Sequence, residues 1–225
     1  MKNTAFSPAG AHFESIARLR PPDFQSPLLA RLPPSSKMLL DAGCAGGRLT
    51  LQFARAAGFA VGLDLWPDLV NLARTLQEED RATNVAWVVG DIEHPPFAPE
   101  CFDVVVSTNV LRLTDFPVAV KQLGGLVKPG GRMAGQDLID AYGQKSPLPI
   151  AYLFRLIRGA PRYLKNFGPV MMLRILVHRL SPRELARAMR VSRMTPQWIE
   201  ESYSRILPGS RFEITQHGYE VMWDK

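Results

Sequence analysis

The sequence predicts an α/β protein built on a doubly wound, mostly parallel sheet of seven strands, with an antiparallel hairpin closing its C-terminal end. Three observations predict it. Short apolar runs alternate with segments of helical spacing from residue 37 to residue 136. Some runs, such as FDVVVS at 102–107, are continuously apolar and β-branched, as expected of strands buried on both faces. The last two runs alternate and flank His217-Gly218, a hairpin signal. Regular strand–helix alternation gives a parallel sheet covered on both faces through right-handed crossovers.

Each element follows from its residues. The first 36 residues hold two short helical patterns, at 11–19 and 24–32, punctuated by Pro21-Pro22 and Pro33-Pro34, because proline cannot continue a helix past its first turn. Residues 37–41 (KMLLD) form the first strand and meet Gly43-Cys44-Ala45-Gly46-Gly47. Residues 48–57 return to helical spacing, with Gly58 placed as a C-terminal cap. The second strand is 59–64 (FAVGLD), and Pro67 opens the helix 67–79. The third strand, 85–89, ends at Gly90-Asp91 before a proline-rich loop, 94–99. After the fourth strand, 102–107, come a helix at 116–127, the turn Lys128-Pro129-Gly130-Gly131 and a fifth strand at 132–136.

From about residue 142 the alternation gives way to a basic helical segment, expected as a cap inserted at about 142–193. Ser181-Pro182-Arg183-Glu184 matches a capping box, in which the glutamate reaches back to the helix start. Thr195-Pro196 opens a last helix that stops before Pro208-Gly209, and the hairpin strands are 212–216 and 219–223. The expectation is a single domain, 1–225, with N-terminal helices over 1–36 and the cap inserted after the fifth strand.

A chain of 225 residues suffices for one domain with a substantial core. No run approaches the roughly 18 apolar residues of a membrane-spanning helix, and the N-terminal residues lack the apolar core of a secretory signal. Two cysteines, Cys44 and Cys101, make no disulfide framework, and no clustered Cys/His spacing suggests a metal. A reducing, cytoplasmic setting is expected. The net charge of +6 is unevenly spread. Between Lys145 and Arg193 stand 11 Lys or Arg against one acid, Glu184, so that segment carries +10 and the rest −4. A local excess of this kind points to an anionic partner at one place.

Ligands of an open α/β sheet bind beyond the carboxyl ends of the strands, near the point where strand order reverses. The loop Asp41-Ala-Gly-Cys-Ala-Gly-Gly47 lies there. Its glycines allow close backbone approach, and the following helix start offers N–H groups to a carboxylate or phosphate. A dinucleotide fingerprint requires glycines at 43, 45 and 48, where positions 45 and 48 are Ala and Arg; the Gly-Lys-Ser/Thr ending of a P-loop is also absent.

LLDAGCAGG at 39–47 resembles the first motif of class I S-adenosylmethionine-dependent methyltransferases, with Ala45 at the middle glycine. VGLDLWPDLV, VVGDIEHPPF, FDVVVSTNVLRL and LVKPGGRM resemble the family's later landmarks in order, and the terminal hairpin resembles its antiparallel seventh strand. The resemblance implies a Rossmann-like methyltransferase fold, S-adenosylmethionine as cofactor and S-adenosylhomocysteine as product. It implies that Asp41, Gly43, Gly46 and Gly47 shape the cofactor loop, that Asp64 accepts from both ribose hydroxyls, and that Asp91 accepts from the adenine amine while Ile92 packs on the ring. Trp66, past Asp64, suits either a flank for the adenosine or a packing role, and Asn109, after the fourth strand, suits either a ligand contact or a surface loop. Asp64 equally suits a cap for the helix beginning near Pro67, and Cys44 reads as a small filler.

Methyl transfer from a sulfonium needs near-attack geometry and exclusion of water, with a base where the acceptor carries a proton. Many small-molecule members carry a His-rich stretch after the fourth strand; STNVLRLTD has Arg112 and no histidine. Asp137 and Asp140, just past the fifth strand, and His178 in the cap are the acceptor-facing candidates, and both acids also suit a helix cap. The cap sequences IAYLFRLIRG and VMMLRILVHRL are amphipathic. They suit a cover over the site, an anionic small substrate, or an anionic membrane surface from which a lipophilic substrate is collected. Nucleic acid is less favoured, because TNVL replaces the Asn/Asp-Pro-Pro-aromatic motif of amino-directed nucleic-acid enzymes. The sequence thus points to methyl transfer onto a small metabolite. Cofactor binding without transfer (a regulator, or a rearrangement or cyclisation enzyme) and an RNA methyltransferase gripping through the cap stay open.

Overall fold

The apolar runs pair in the order β3-β2-β1-β4-β5-β7-β6, a seven-stranded sheet in which β7 alone runs against the other strands, antiparallel to both β5 and β6. The computed structural model describes residues 6–17, 26–33, 36–138, 148–191, 194–215 and 218–225, with backbone alone for 17, 148–155, 190 and 191. The chain enters through α1 (Pro8–Ala17) and a 3₁₀ turn, Pro27–Arg31, then alternates β1 (Met38–Ala42), α2 (Arg48–Ala56), β2 (Phe59–Asp64), α3 (Pro67–Asp80), β3 (Val85–Val89) and β4 (Phe102–Thr108). A second 3₁₀ turn, Leu111–Leu113, leads to α4 (Phe116–Leu126) and β5 (Val127–Leu138). The cap helices α5 (Leu148–Arg179) and α6 (Pro182–Val191) follow, then α7 (Pro196–Ile206), β6 (Arg211–Thr215) and β7 (Gly218–Asp224).

The period-two geometry of a strand explains how β1 holds the molecule together. Leu40 and Ala42 face one core, with Leu63, Val105, Phe116, Leu123 and Tyr203. Leu39 faces the other, with Phe53, Ala60, Val70, Val104 and Val106. Each fully buried leucine or phenylalanine stabilises the fold by about 1.5–3 kcal/mol relative to an exposed one.

Several local expectations need correction. The 24–32 pattern yields only a five-residue 3₁₀ turn among its described residues, opened by Pro27, with Ser26 accepting from the Leu28 N–H. Gly58 is not a left-handed cap: α2 ends at an extended Ala57, and a Cβ on Gly58 would meet the Lys37 carbonyl oxygen at 2.9 Å, so close backbone approach explains this glycine. The Lys128–Gly131 turn lies inside β5, which first pairs Val127 with Phe102 and resumes at Arg132 opposite Val104. The capping box is half formed. Ser181 Oγ accepts from the Glu184 N–H at 3.4 Å, but the buried Glu184 carboxylate takes Arg179 and Arg187 at 2.7 and 2.8 Å.

The helix α1 bridges the cap and the sheet layer. On one side His12 Nδ1 meets the buried Tyr163 hydroxyl of α5 at 2.7 Å, and Ala11 packs with Tyr163 and Ile175. On the other, Asp68 at the start of α3 accepts from Ser7 N and Oγ at 2.9 and 3.0 Å. Burial first, then the charges of Arg179, Arg162, His178 and Arg187 on α5 and α6, lower the His12 pKa from 6.5 to about 3. Native His12 therefore stays neutral where the unfolded chain takes up a proton. Stability is full above pH 6.5 and falls as pH drops from there toward 3, at up to about 1.4 kcal/mol per unit for this one group. His12→Asn is expected to flatten the slope by one proton, which urea unfolding across that window measures.

Candidate functional site

The carboxyl ends of five parallel strands form one row, in spatial order Asp91 after β3, Asp64 ending β2, the glycine loop after β1, Asn109 after β4 and Asp137 in β5. The strand order reverses between β1 and β4, where an open sheet parts to make a crevice.

The glycine loop is built by close packing. Gly43 has φ +82°, and a Cβ there would lie 2.6 Å from Val110, so the turn after β4 sits directly on the loop. Gly47 has φ +76°, and a Cβ would strike Trp87 at 2.4 Å and Ala73 at 2.7 Å. Both positions therefore exclude a side chain by conformation and by space. Asp41 is buried beneath the loop and accepts from Thr50 Oγ1 of α2 at 2.6 Å, fastening the end of β1 to the helix that follows the glycines. The Cys44 thiol is buried, and burial first and the charges of Asp41 and Asp64 next push it up, so it stays protonated.

Asp64 is the most informative acid. Its Oδ2 accepts from the Ala45 N–H of the glycine loop at 2.8 Å and its Oδ1 from the Trp66 N–H at 3.0 Å. It thus ties the end of β2 to the loop and to the N-terminus of α3, where Trp66 is the N-cap residue. Burial raises its pKa, partly offset by these backbone N–H groups. An ionised carboxylate has about four lone-pair sites, so two backbone donors leave capacity for more. Asp91 is half-exposed and turns one oxygen onto the Glu93 N–H at 2.9 Å, while Ile92 is buried in the core. The Gly90 N–H donates to the Asp64 carbonyl at 2.9 Å, which holds the two acidic strand ends side by side.

At the end of β4, Ser107 Oγ, Thr108 Oγ1 and Asn109 Oδ1 are buried with no hydrogen-bond partner among the described residues. Asn109 has φ +60°, and its N–H is fixed by the Gln136 carbonyl at 2.8 Å. Three consecutive orphaned polar groups beside a glycine loop fit a polar ligand, because native structures rarely leave such groups unsatisfied. One strand further, Asp137 is 2% exposed and is already engaged. It takes the Arg112 guanidinium, the Arg112 N–H at 3.1 Å and the Leu138 N–H at 2.8 Å. Tyr203 of α7 and Tyr219 of β7 are buried beside it.

The structure brings Asp41, Gly43, Gly46, Gly47, Asp64, Trp66, Asp91, Ile92 and Asn109 to this edge, with Asp137 next along the row. His178, near the end of α5, is close enough to His12 for its charge to bear on it, and no described contact places it at the strand-end row. Asp140 lies outside the described residues. Sequence reasoning missed Glu14 of α1. This fully buried acid is gripped by Arg48 Nη1 and Nη2 at 3.2–3.3 Å and stands 3.3 Å from where a Gly46 Cβ would be. Its signal was present: the one acid in the apolar stretch AGAHFESIA. The buried Ser107 and Thr108 hydroxyls gave no such signal, because serine and threonine at a strand end are equally at home facing water.

Residues 40–135 match the family model described as a methyltransferase domain. Over 138 residues the chain is 31% identical to a malonyl-[acyl-carrier protein] O-methyltransferase of Pectobacterium atrosepticum, an overlap covering 60% of this chain and 52% of that protein. Over 149 residues it is 30% identical to a ubiquinone biosynthesis O-methyltransferase of Xanthomonas axonopodis pv. citri, covering 61% and 59%. The chain spans about half the length of the curated relatives it matches. A SAM-dependent methyltransferase from Aquifex aeolicus shares the fold, with a TM-score of 0.59 over 97% of each chain at 14% identity. The matched stretch begins in the first strand and ends in the fifth, so it contains the glycine loop and both acidic strand ends. Over that stretch the chain is similar to methyltransferase domains, and its fold is the Rossmann-like fold of S-adenosylmethionine-dependent methyltransferases.

Proposed function

We propose that this chain binds S-adenosylmethionine along the strand-end row and transfers its methyl group to a small metabolite, lipophilic or anionic. The observation that carries the reading is Asp64, a buried carboxylate bonded to the glycine loop it faces. The cofactor supplies an electrophilic methyl on a sulfonium, open to in-line displacement by the acceptor.

The chain's residues divide the remaining work. Gly43, Gly46 and Gly47 keep side chains out of the loop, and the α2 N-terminus offers N–H groups to the amino-acid end of the ligand. The buried Glu14 carboxylate suits the ammonium of that end. Asp64 would accept from the ribose hydroxyls and Asp91 from the adenine amine, with Ile92 and Trp66 on either side of the adenosine. Asp41 holds the loop in place through Thr50. The orphaned oxygen of Asn109 and the hydroxyls of Ser107 and Thr108 are available to the ligand pair. Asp137 holds Arg112, whose side chain is 23% exposed and suits an anionic acceptor. The α1–α5 interface closes the site against water. Catalysis then rests mainly on positioning and on exclusion of solvent.

The named activities of the relatives, on a malonyl-acyl-carrier substrate and in ubiquinone biosynthesis, support small acceptors. Two free cysteines, one of them buried, suit a reducing cytoplasm. Among the described residues no helix is long and apolar enough to cross a membrane; a lipophilic acceptor would be collected at a membrane surface. The test is incubation with methyl-labelled S-adenosylmethionine and panels of phenolic, carboxylic and quinol acceptors, reading label and S-adenosylhomocysteine together. Labelled small product supports the reading. Cofactor binding with no S-adenosylhomocysteine formed would show binding without transfer, and label recovered in added RNA would show an RNA methyltransferase.

A further inference from the structure

The second half of α5 is apolar on two faces. The chain breaks at Gly168 (φ 80°, ψ 174°), and Pro169 opens a new helical segment. Its inner face packs Met171, Met172, Ile175 and Leu176 with Tyr163 and Ala11. Its outer face carries Val170, Leu173, Val177 and Leu180, which are 73, 60, 63 and 49% exposed. Their spacing, i, i+3, i+7 and i+10, sets them in one ridge about 15 Å long. Soluble surfaces expose aliphatic side chains singly; a continuous ridge marks an interaction site.

Charge identifies the occupant. Arg174 and Arg183 flank the ridge, Arg158 and Lys165 lie on the preceding segment and all four are exposed, with no ion pair among the described residues. Glu184 is the one acid in 148–191, and it is buried and neutralised between Arg179 and Arg187. The cap surface therefore presents hydrocarbon and positive charge with no exposed carboxylate. We propose that this ridge docks the protein on an anionic membrane surface, aliphatic side chains in the acyl boundary and arginines at the phosphates. A second copy of the chain is disfavoured because it would oppose two rows of like charge. RNA offers phosphates but no hydrocarbon, and the ridge has no aromatic residue on which a base could stack. The inference deepens the small-acceptor reading by naming where a lipophilic acceptor is collected, and rests on that reading only for the cargo.

The test is flotation of the whole chain with vesicles of phosphatidylcholine, alone or mixed with phosphatidylglycerol. Wild type should float with the mixed vesicles, bind the neutral ones at least tenfold less, and be released by salt. Leu173→Ser/Val177→Ser should lower binding at least tenfold. Arg174→Ser/Arg183→Ser should lower it roughly 25-fold, about fivefold per charge. All samples are also titrated calorimetrically with S-adenosylhomocysteine, which reports both folding and the cofactor site. Wild type that binds the ligand but ignores anionic vesicles overturns the inference and leaves the methyltransferase reading intact. Flotation of the apolar variant at wild-type level overturns it too, as does a wild-type dimer in sedimentation equilibrium that the same variant dissociates. Vesicle binding without ligand binding would sink the methyltransferase reading and keep the membrane surface.

Discussion

Asp64→Ala is expected to weaken S-adenosylmethionine and S-adenosylhomocysteine binding about 100-fold or more. A hydrogen bond to a charged group contributes about 1.5–3 kcal/mol, and the proposal gives this carboxylate two ribose hydroxyls. The variant also loses the acceptor for the Ala45 and Trp66 N–H groups, so the glycine loop and the start of α3 lose their shared anchor. Isothermal titration of wild type and variant measures the first effect, and urea unfolding of both measures the second. Equal affinity in a folded variant would remove Asp64 from the cofactor site. Burial raises the Asp64 pKa, so the ionised form is disfavoured in the free protein, an effect that the Trp66 and Ala45 N–H groups only partly offset.

The largest stability effect is expected at Arg112. The Asp137 carboxylate is 2% exposed, and Arg112 supplies its only guanidinium among the described contacts. Arg112→Ala leaves a buried charge with backbone donors alone, a loss of about 3–5 kcal/mol. Arg112→Leu/Asp137→Asn should recover most of it, since no uncompensated charge remains, and a double-mutant cycle by urea unfolding measures the coupling. The same pair informs on chemistry. Transfer retained by the stable double variant would show that Asp137 serves to hold the strand end; transfer lost with cofactor binding intact would place the pair at the acceptor.

The sequence displayed the sheet more openly than the site. β2 and β3 were legible as whole strands because their apolar runs end sharply at an acid or a glycine, and Pro67 marked the start of α3 unambiguously. Gly58 was misread because a glycine after a helix suits a left-handed cap, whereas here the neighbouring Lys37 backbone, distant in pattern but close in space, excludes a side chain. Glu184 fitted a capping box locally, yet two arginines out-compete a backbone N–H for a buried carboxylate. Within the site, the glycines and strand-end acids could be found by position because strand ends are where such a sheet binds ligands. Glu14 was marked only as a lone acid in an apolar stretch, and its role depends on α1 folding back onto the loop, a contact across 34 residues. The engagement of Asp137 by Arg112 was equally hidden, as it requires β4 and β5 to be paired first.

The placement of β7 carries a consequence for how the molecule assembles. It pairs with β5 from Arg132 to Leu138, yet residues 139–210 separate β5 from the start of the hairpin. On a ribosome, β5 would emerge with one row of N–H and C=O groups unpaired, and the basic cap would be synthesised before anything could cover them. Exposed strand edges of this kind template wrong pairings. Closing so long a loop adds little entropy beyond a shorter one but delays the contact. The late arrival of Tyr219 opposite Asp137 then seals the buried acid and removes the edge in one event. The vulnerable period in the life of this chain is therefore its birth, and a holdase that shields β5 would protect it most while the cap is being made.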